Sequence, residues 1–422
     1  MENRDPLSTA EVIAVGSELL GTTRIDTNSL YLAGRLGSLG ITLRAKSVVG
    51  DDRRELAQAL RAALDRVDLV VLSGGLGPTD DDVTRDAVAD VLGVPMAEDP
   101  AIVERIRARF AKRGLRMPEV NRKQAMVPSG ATVLLNPLGT APGLMVEHGR
   151  KLLLLLPGPP RELKTLFESL AEGPLKERAG PHRLFRATLF VTGQSESQVE
   201  EIAQPLYSRR LHTEPAIETT ILAAPGQIEI HLSTRADDAE LATRLLADAR
   251  AELAEALGPD VFSTDGRPME QIVGELLAGR GWTIGVAESC TGGLLLSRLT
   301  DVPGSSAWVT GGVVAYSNAM KSLFADVPPE LMQAHGAVSE PVAVALAEGI
   351  RARAGSQIGV GITGIAGPSG GTEAKPVGTV AIAAVGPEGP ARVRTFWFLG
   401  GRTQVKFNAT QAALDMVRRL LL

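Results

Sequence analysis

At 422 residues the chain is longer than one ordinary hydrophobic core supports, so length alone calls for two or three domains. Hydrophobic residues at 44% and charged residues at 22% are those of a globular protein, and a net charge of −5 argues against a general nucleic-acid binder. A single cysteine, Cys290, excludes an intramolecular disulfide and a cysteine-rich zinc site.

The first residues, MENRDPLSTA, hold no apolar signal core. The longest aliphatic run, Leu152 to Leu156, is far short of a bilayer span. The expectation is a cytoplasmic protein with no membrane segment. EVIAV (11–15) is a short apolar run stopped by Gly16 and predicts a buried strand. Leu30, Leu32, Ala33, Leu36 and Leu39 recur at helical spacing over 27–39, and Gly40 closes that helix. A strand over 41–49, a helix over 53–66 and a strand over 67–72 follow; 152–156 is a further strand before the turn PGPPRE. Strands alternating with helices predict an α/β domain, a parallel sheet covered by helices on both faces.

From about 182 to 262 the pattern changes. A strand over 184–192, a short helix over 198–207, a hairpin around Pro225-Gly226 and a helix over 239–257 predict a small α+β module without a catalytic cluster. Beyond Gly266, the stripe Met269, Ile272, Val273, Leu276 and Leu277 predicts a helix that Gly281 ends. Strands over 282–287, 309–316, 357–362 and 377–384, a helix beginning in 292–299 and a last helix over 403–422 give a second α/β domain. The expected boundaries are 1–174, 175–264 and 265–422.

Two regions carry chemistry. SGGLGPTDDDVTRD (73–86) sets a turn with Gly74 and Gly75 before Asp80, Asp81 and Asp82 and a helix starting near Val83. Backbone N–H groups of such a turn favour an anionic ligand, and adjacent carboxylates can hold a hard divalent cation. The plainer reading is that one aspartate caps the helix and the others are solvated. GSELLGTTRIDTNS (16–29), with Glu18, Asp26, Asn28 and Ser29, and LPGPPRE (156–162), with Arg161 and Glu162, are expected to border the same cleft.

In the C-terminal region VAESCTGG (286–293), VVAYSNAMK (313–321) and VGITGIAGPSGG (360–371) each follow a predicted strand, where open α/β sheets build their sites. Ser289 either caps the next helix or acts as a nucleophile, with Gly292 and Gly293 freeing backbone N–H groups for an oxyanion. Lys321 is either a solvated lysine or, if buried and neutral, a base for Ser289. None of the five histidines lies in these loops, and Cys290, a rival nucleophile, lacks a histidine partner. Tyr316 is placed to orient Lys321 or a substrate. Thr363, Gly364 and the glycines after them suit a phosphate or a mobile loop; Arg402, before the last helix, suits a phosphate clamp or the surface.

AESCTGG, Tyr-Ser-Asn-x-x-Lys and ITGIAGPSGG…KPVGTVAIA resemble the C-terminal domain of the CinA (competence/damage-inducible) family over about 267–422. The strings of 9–172, including NRKQAMVPSGATVLLNPLGTAPG (121–143), resemble that family's N-terminal domain, which is similar to the three-layer MoaB/MogA molybdopterin-binding fold. The middle corresponds to the family's KH-like linker domain but lacks a Gly-x-x-Gly backbone clamp. The resemblance implies deamidation of nicotinamide mononucleotide, with Ser289 as nucleophile, Lys321 as base and Tyr316, Thr363 and Arg402 at the substrate. It implies a second, metal-dependent ADP-ribose pyrophosphatase site. There Asp82 and Asp81 are the first choices for a Mg, Mn or Co ion, and Gly74, Gly75, Asp26, Asn28 and Glu162 are expected at the substrate. No cofactor is expected at the deamidase site. A homodimer acting on small nucleotides, with no direct nucleic-acid binding, is the expected assembly. The competing readings are a protein partner in transformation or DNA repair, and molybdopterin handling by the N-terminal domain.

Overall fold

The computed structural model describes residues 6–422, and its contacts divide the chain into two compact units. One runs to Phe185 and includes Arg235–Ala242; the other comprises Arg186–Thr234 and Thr243–Leu422.

The first unit contains β1 (Thr9–Val15), α1 (Asn28–Ser38), β2 (Thr42–Val49), α2 (Arg53–Arg66), β3 (Leu69–Ser73) and α3 (Thr84–Leu92). β4 (Met96–Glu98), α4 (Pro100–Ala111), β5 (Met126–Pro128), β6 (Thr132–Leu134), β7 (Gly143–His148), β8 (Lys151–Leu156), α5 (Pro160–Glu172) and α6 (Pro174–Arg178) follow. Its main sheet has the order β2-β1-β3-β8-β7-β6. The leucine run is apolar throughout because both faces are covered. Leu152, Leu154 and Leu156 meet Leu32 and Leu36 of α1 and Phe167 of α5, while Leu153 and Leu155 meet Leu56 and Leu60 of α2. The four predicted strands, β2, β1, β3 and β8, are parallel as expected; the sheet is extended by β7, antiparallel to β8, and β6, antiparallel to β7, which the sequence did not announce. Hydrophobic periodicity reports burial and is silent on strand direction. Asp52 caps α2 by accepting from the Arg54 and Glu55 N–H groups (2.8 and 2.9 Å), which explains the sharp start at Arg53.

The middle segment forms β9 (Arg183–Val191), α7 (Glu196–Ser208), β10 (Ile217–Ala224), β11 (Gln227–Ala236), α8 (Ala239–Leu257) and β12 (Val261–Ser263), with a sheet order of β10-β11-β9-β12. The predicted hairpin closes at Gly226, and Ser195 with Gln198 forms a capping box at α7.

The remainder is α9 (Met269–Arg280), β13 (Ile284–Glu288), α10 (Leu294–Thr300), β14 (Val309–Val314), α11 (Asn318–Ala325), α12 (Pro329–His335) and α13 (Glu340–Ala354). It ends with β15 (Ile358–Gly364), β16 (Thr379–Val385), β17 (Arg392–Trp397) and α14 (Arg402–Leu421). The sheet order is β14-β13-β15-β16-β17, parallel across the first three and antiparallel across the last two. Val286, Val360 and Ile382 face α9 and α14, whereas Ala381 and Ala383 face Ala343 and Ala347 of α13. That second face is packed backbone to backbone. A Cβ on Gly361 would lie 2.2 Å from the Ala343 carbonyl oxygen, so only glycine fits. Among the described residues no helix is long and apolar enough to cross a membrane.

Candidate functional site

The order β14-β13-β15 decides the C-terminal site. Neighbouring parallel strands end on one edge, so the three loops that follow them, far apart in the chain, converge there. The ladder continues into the loops: the Ser289 N–H donates to the Ile362 carbonyl (2.9 Å) and the Ala315 N–H to the Glu288 carbonyl (2.8 Å). Ser289, Cys290, Tyr316, Lys321, Thr363, Gly364 and Arg402 all line one cavity of about 370 Å³.

Ser317 caps α11, its hydroxyl accepting from the Met320 N–H (3.3 Å), and Lys321 lies one turn further on, facing inward. The Lys321 side chain is buried at 3% exposure, and no carboxylate among the described residues lies within ion-pair distance of it. Burial without a counter-ion holds its pKa below the ordinary lysine value. Cys290 behaves in the opposite sense: burial raises its thiol pKa to about 12, so it is a protonated thiol at neutral pH. Arg402 joins two loops, its guanidinium donating to the Gly367 carbonyl (2.8 Å) and the Tyr316 hydroxyl (3.0 Å). The Thr363 hydroxyl donates to the Ala337 carbonyl (2.7 Å), and Lys375 holds the same segment through the His335 and Val338 carbonyls (3.1 and 2.7 Å). Ala337 and Val338 thereby become a wall of the cavity, which no motif in the sequence announced.

Gly292 and Gly293 require correction. They adopt positive φ of 63° and 90° and form the turn into α10, but neither lines the cavity. The Gly292 N–H donates to the Ser289 carbonyl (3.1 Å), and the Gly293 N–H is taken by Glu288, whose buried carboxylate accepts from Gly293, Leu295 and Leu296 at 3.0, 3.1 and 2.8 Å. A carboxylate immediately before a glycine turn and a helix was the available signal for this plug. Glu288→Ala is expected to lower stability by about 3 kcal/mol, because three helix-start donors lose a charged acceptor; urea denaturation measures it.

The N-terminal cavity, also about 370 Å³, forms by the same rule at the ends of β1, β2, β3 and β8. Gly16 and Glu18, Asp51, Gly74 to Gly77, Asp81, Asp82, Gly158 and Glu162 line it. Gly74 and Gly75 are demanded by close approach: a Cβ would lie 2.3 Å from the Val15 carbonyl oxygen and 2.2 Å from the Thr84 hydroxyl, respectively. Glu162 is held by the Asn136 amide at 2.6 Å. Asp51 was not singled out in the sequence; it follows β2 and accepts from the Ser17 N–H (2.8 Å).

Five expected residues lie off this cavity: Asp26, Asn28, Ser29, Asp80 and Arg161. Asn28 turns inward, its amide donating to the Ser73 hydroxyl (3.0 Å) and the Gly158 carbonyl (2.8 Å), so it staples two site loops together. Asp26 accepts from the Ser29 N–H (3.0 Å) at the start of α1. Asp80 is exposed. Asp82 lines the cavity yet spends both oxygens on the turn, accepting from the Gly77 N–H (2.7 Å), the Thr79 N–H (2.8 Å) and the Thr79 hydroxyl (2.5 Å). Among the described residues no three His, Cys, Asp or Glu side chains converge to hold a metal, so the aspartate run does not form a cage. Consecutive residues leaving a turn point in different directions, and the spacing hid that.

Comparison with known proteins gives two family matches. The CinA C-terminal domain family matches residues 266–421, and the family described as a probable molybdopterin binding domain matches residues 11–177. A CinA-like protein of Koribacter versatilis is 47% identical over 417 residues, covering 98% of this chain and 100% of the relative. Another from Acidobacterium capsulatum is 47% identical over 421 residues, covering 98% and 100%. The crystal structure of the Thermoplasma acidophilum protein CinA, of unknown function, is 35% identical over 39% of this chain and 98% of its own, with a TM-score of 0.37.

Proposed function

The chain belongs to the CinA family, and from that premise we propose that it is a hydrolase of pyridine-nucleotide salvage that deamidates nicotinamide mononucleotide through Ser289 and Lys321. The observation that carries this reading is a buried lysine without a counter-ion on the same small cavity as a serine at a strand-to-helix turn. Neutral Lys321 takes the Ser289 proton as the hydroxyl oxygen attacks the carboxamide carbon. The proton passes to the departing nitrogen, which leaves as ammonia. Water then hydrolyses the acyl-serine, releasing nicotinate mononucleotide and restoring the hydroxyl. The Cys290 and Thr291 N–H groups, in the turn that follows Ser289, would be the donors for the oxyanion. Arg402 and Tyr316 at the rim suit the phosphate end of the substrate. Purified protein is expected to release ammonia from nicotinamide mononucleotide; no release would sink the reading.

For the N-terminal cavity we propose metal-dependent hydrolysis of ADP-ribose. Its donors are all oxygens, and Asp81 and Glu162 would hold a divalent cation shared with the phosphates of the ligand. Such a cation, when bound, neutralises diphosphate charge. The glycine turn leaves room for phosphate to approach the backbone. Asp81→Asn and Glu162→Gln are each expected to cut metal-stimulated ADP-ribose hydrolysis by at least about ten-fold, whereas Asp80→Asn leaves it unchanged. Equal losses in all three would contradict the assignment. The matched domain family favours one alternative for this cavity, a pterin ligand, which retention of a pterin through purification would reveal.

A further inference from the structure

A larger cavity, about 800 Å³, opens within the second unit between β17, the middle of α14 and the β10–β11 turn. It shares no residue with the Ser289 cavity, and its size suits a small molecule. Arg392, Arg394, Phe396 and Phe398 alternate along the sheet's edge strand and the residue after it, and all four line the cavity. The two phenylalanine rings are stacked, with centroids 5.4 Å apart and planes 9° apart, and the Arg394 guanidinium lies 4.8 Å from the Phe396 ring centre. Flat aromatic surface therefore runs directly into positive charge.

That charge is uncompensated. The cleft's carboxylates, Asp260 and Asp415, are bound by Arg419 at 2.6 and 2.7 Å, while Arg392 and Arg394 make no ion pair among the described residues. Arginines alone would serve to keep an edge strand from pairing. Such a role requires neither a stacked aromatic pair beside them nor a cavity in front. The walls also hold two amide oxygens without hydrogen-bond partners, Asn408 Oδ1 and Gln194 Oε1. Orphaned acceptors beside an aromatic ladder suit a planar ring bearing an amino group.

We propose that this cleft binds a free adenine nucleotide, its base against the Arg394–Phe396–Phe398 ladder and its phosphate at Arg392 and Arg394. The proposal is independent of the reactions assigned to the two smaller cavities. Calorimetric titration of the full chain with AMP and with adenosine tests it, using wild type and the Arg392→Ala/Arg394→Ala double variant. Wild type is expected to bind AMP at one more site than the variant and, at that site, at least about ten-fold more tightly than adenosine. Identical AMP titrations for the two proteins, or equal binding of AMP and adenosine by wild type, would overturn it. So would an oligonucleotide that binds through the same arginines more tightly than AMP, which would assign the cleft to nucleic acid.

Discussion

Ser289→Ala is expected to reduce ammonia release from nicotinamide mononucleotide by about 10³-fold or more, with an unchanged thermal melt. Ser289 makes no side-chain hydrogen bond that the fold requires; its backbone N–H, which bonds the Ile362 carbonyl, is untouched by the substitution. The neighbouring Cys290→Ala variant is the control. Its thiol, with a pKa raised to about 12 by burial, cannot supply a thiolate at neutral pH, so activity is expected to stay within about ten-fold of wild type. Retention of activity by Ser289→Ala, or its loss in a folded Cys290→Ala, would move the nucleophile to the cysteine.

Lys321→Met is expected to lower kcat by about 10²–10⁴-fold, the usual worth of a general base. Lys321→Arg should fail as well, because a guanidinium stays protonated. The wild-type rate should rise with pH as Lys321 loses its proton, and reach its plateau below the ordinary lysine range, since burial lowers this pKa. Stability carries the same signature. Between the lowered folded pKa and the ordinary unfolded one, the unfolded chain holds a proton that the folded chain has released, so stability rises with pH across that window. Lys321→Met should remove that slope in urea denaturation at a series of pH values. A plateau only at the ordinary lysine pKa, or an unchanged slope in the variant, would show a solvated lysine without a catalytic role.

How far the sequence leads differs between parts of the molecule. Helices α2 and α8 match the predicted ranges, because a capping aspartate or a run of good helix formers marks their ends locally. Helix α5 is different. Its stripe of Leu163, Leu166, Phe167 and Leu170 follows the PGPP segment read as a turn, yet Pro160 sits in the first helical turn, where proline is tolerated. Helices α4, α11 and α13 and strand β17 were not singled out either. The stripe of α13 is built largely from alanine and valine and buries itself against glycines of the sheet, a small-residue contact that carries little amphipathic signal.

The sequence by itself determined the alternation of strands and helices, the buried leucine strand and the loops that would carry chemistry, because burial periodicity and glycine turns are local properties. It also named Ser289, Lys321, Tyr316, Thr363 and Arg402, which the fold gathers on one cavity. Only the tertiary structure decided that Glu288, not substrate, occupies the α10 donors, that Asp82 closes a turn while Asp81 faces the cavity, and that Asn28 ties loops together. Those outcomes depend on strand order and on which way each side chain leaves its turn. Both are set by pairing between segments distant in the chain, and no local spacing encodes them.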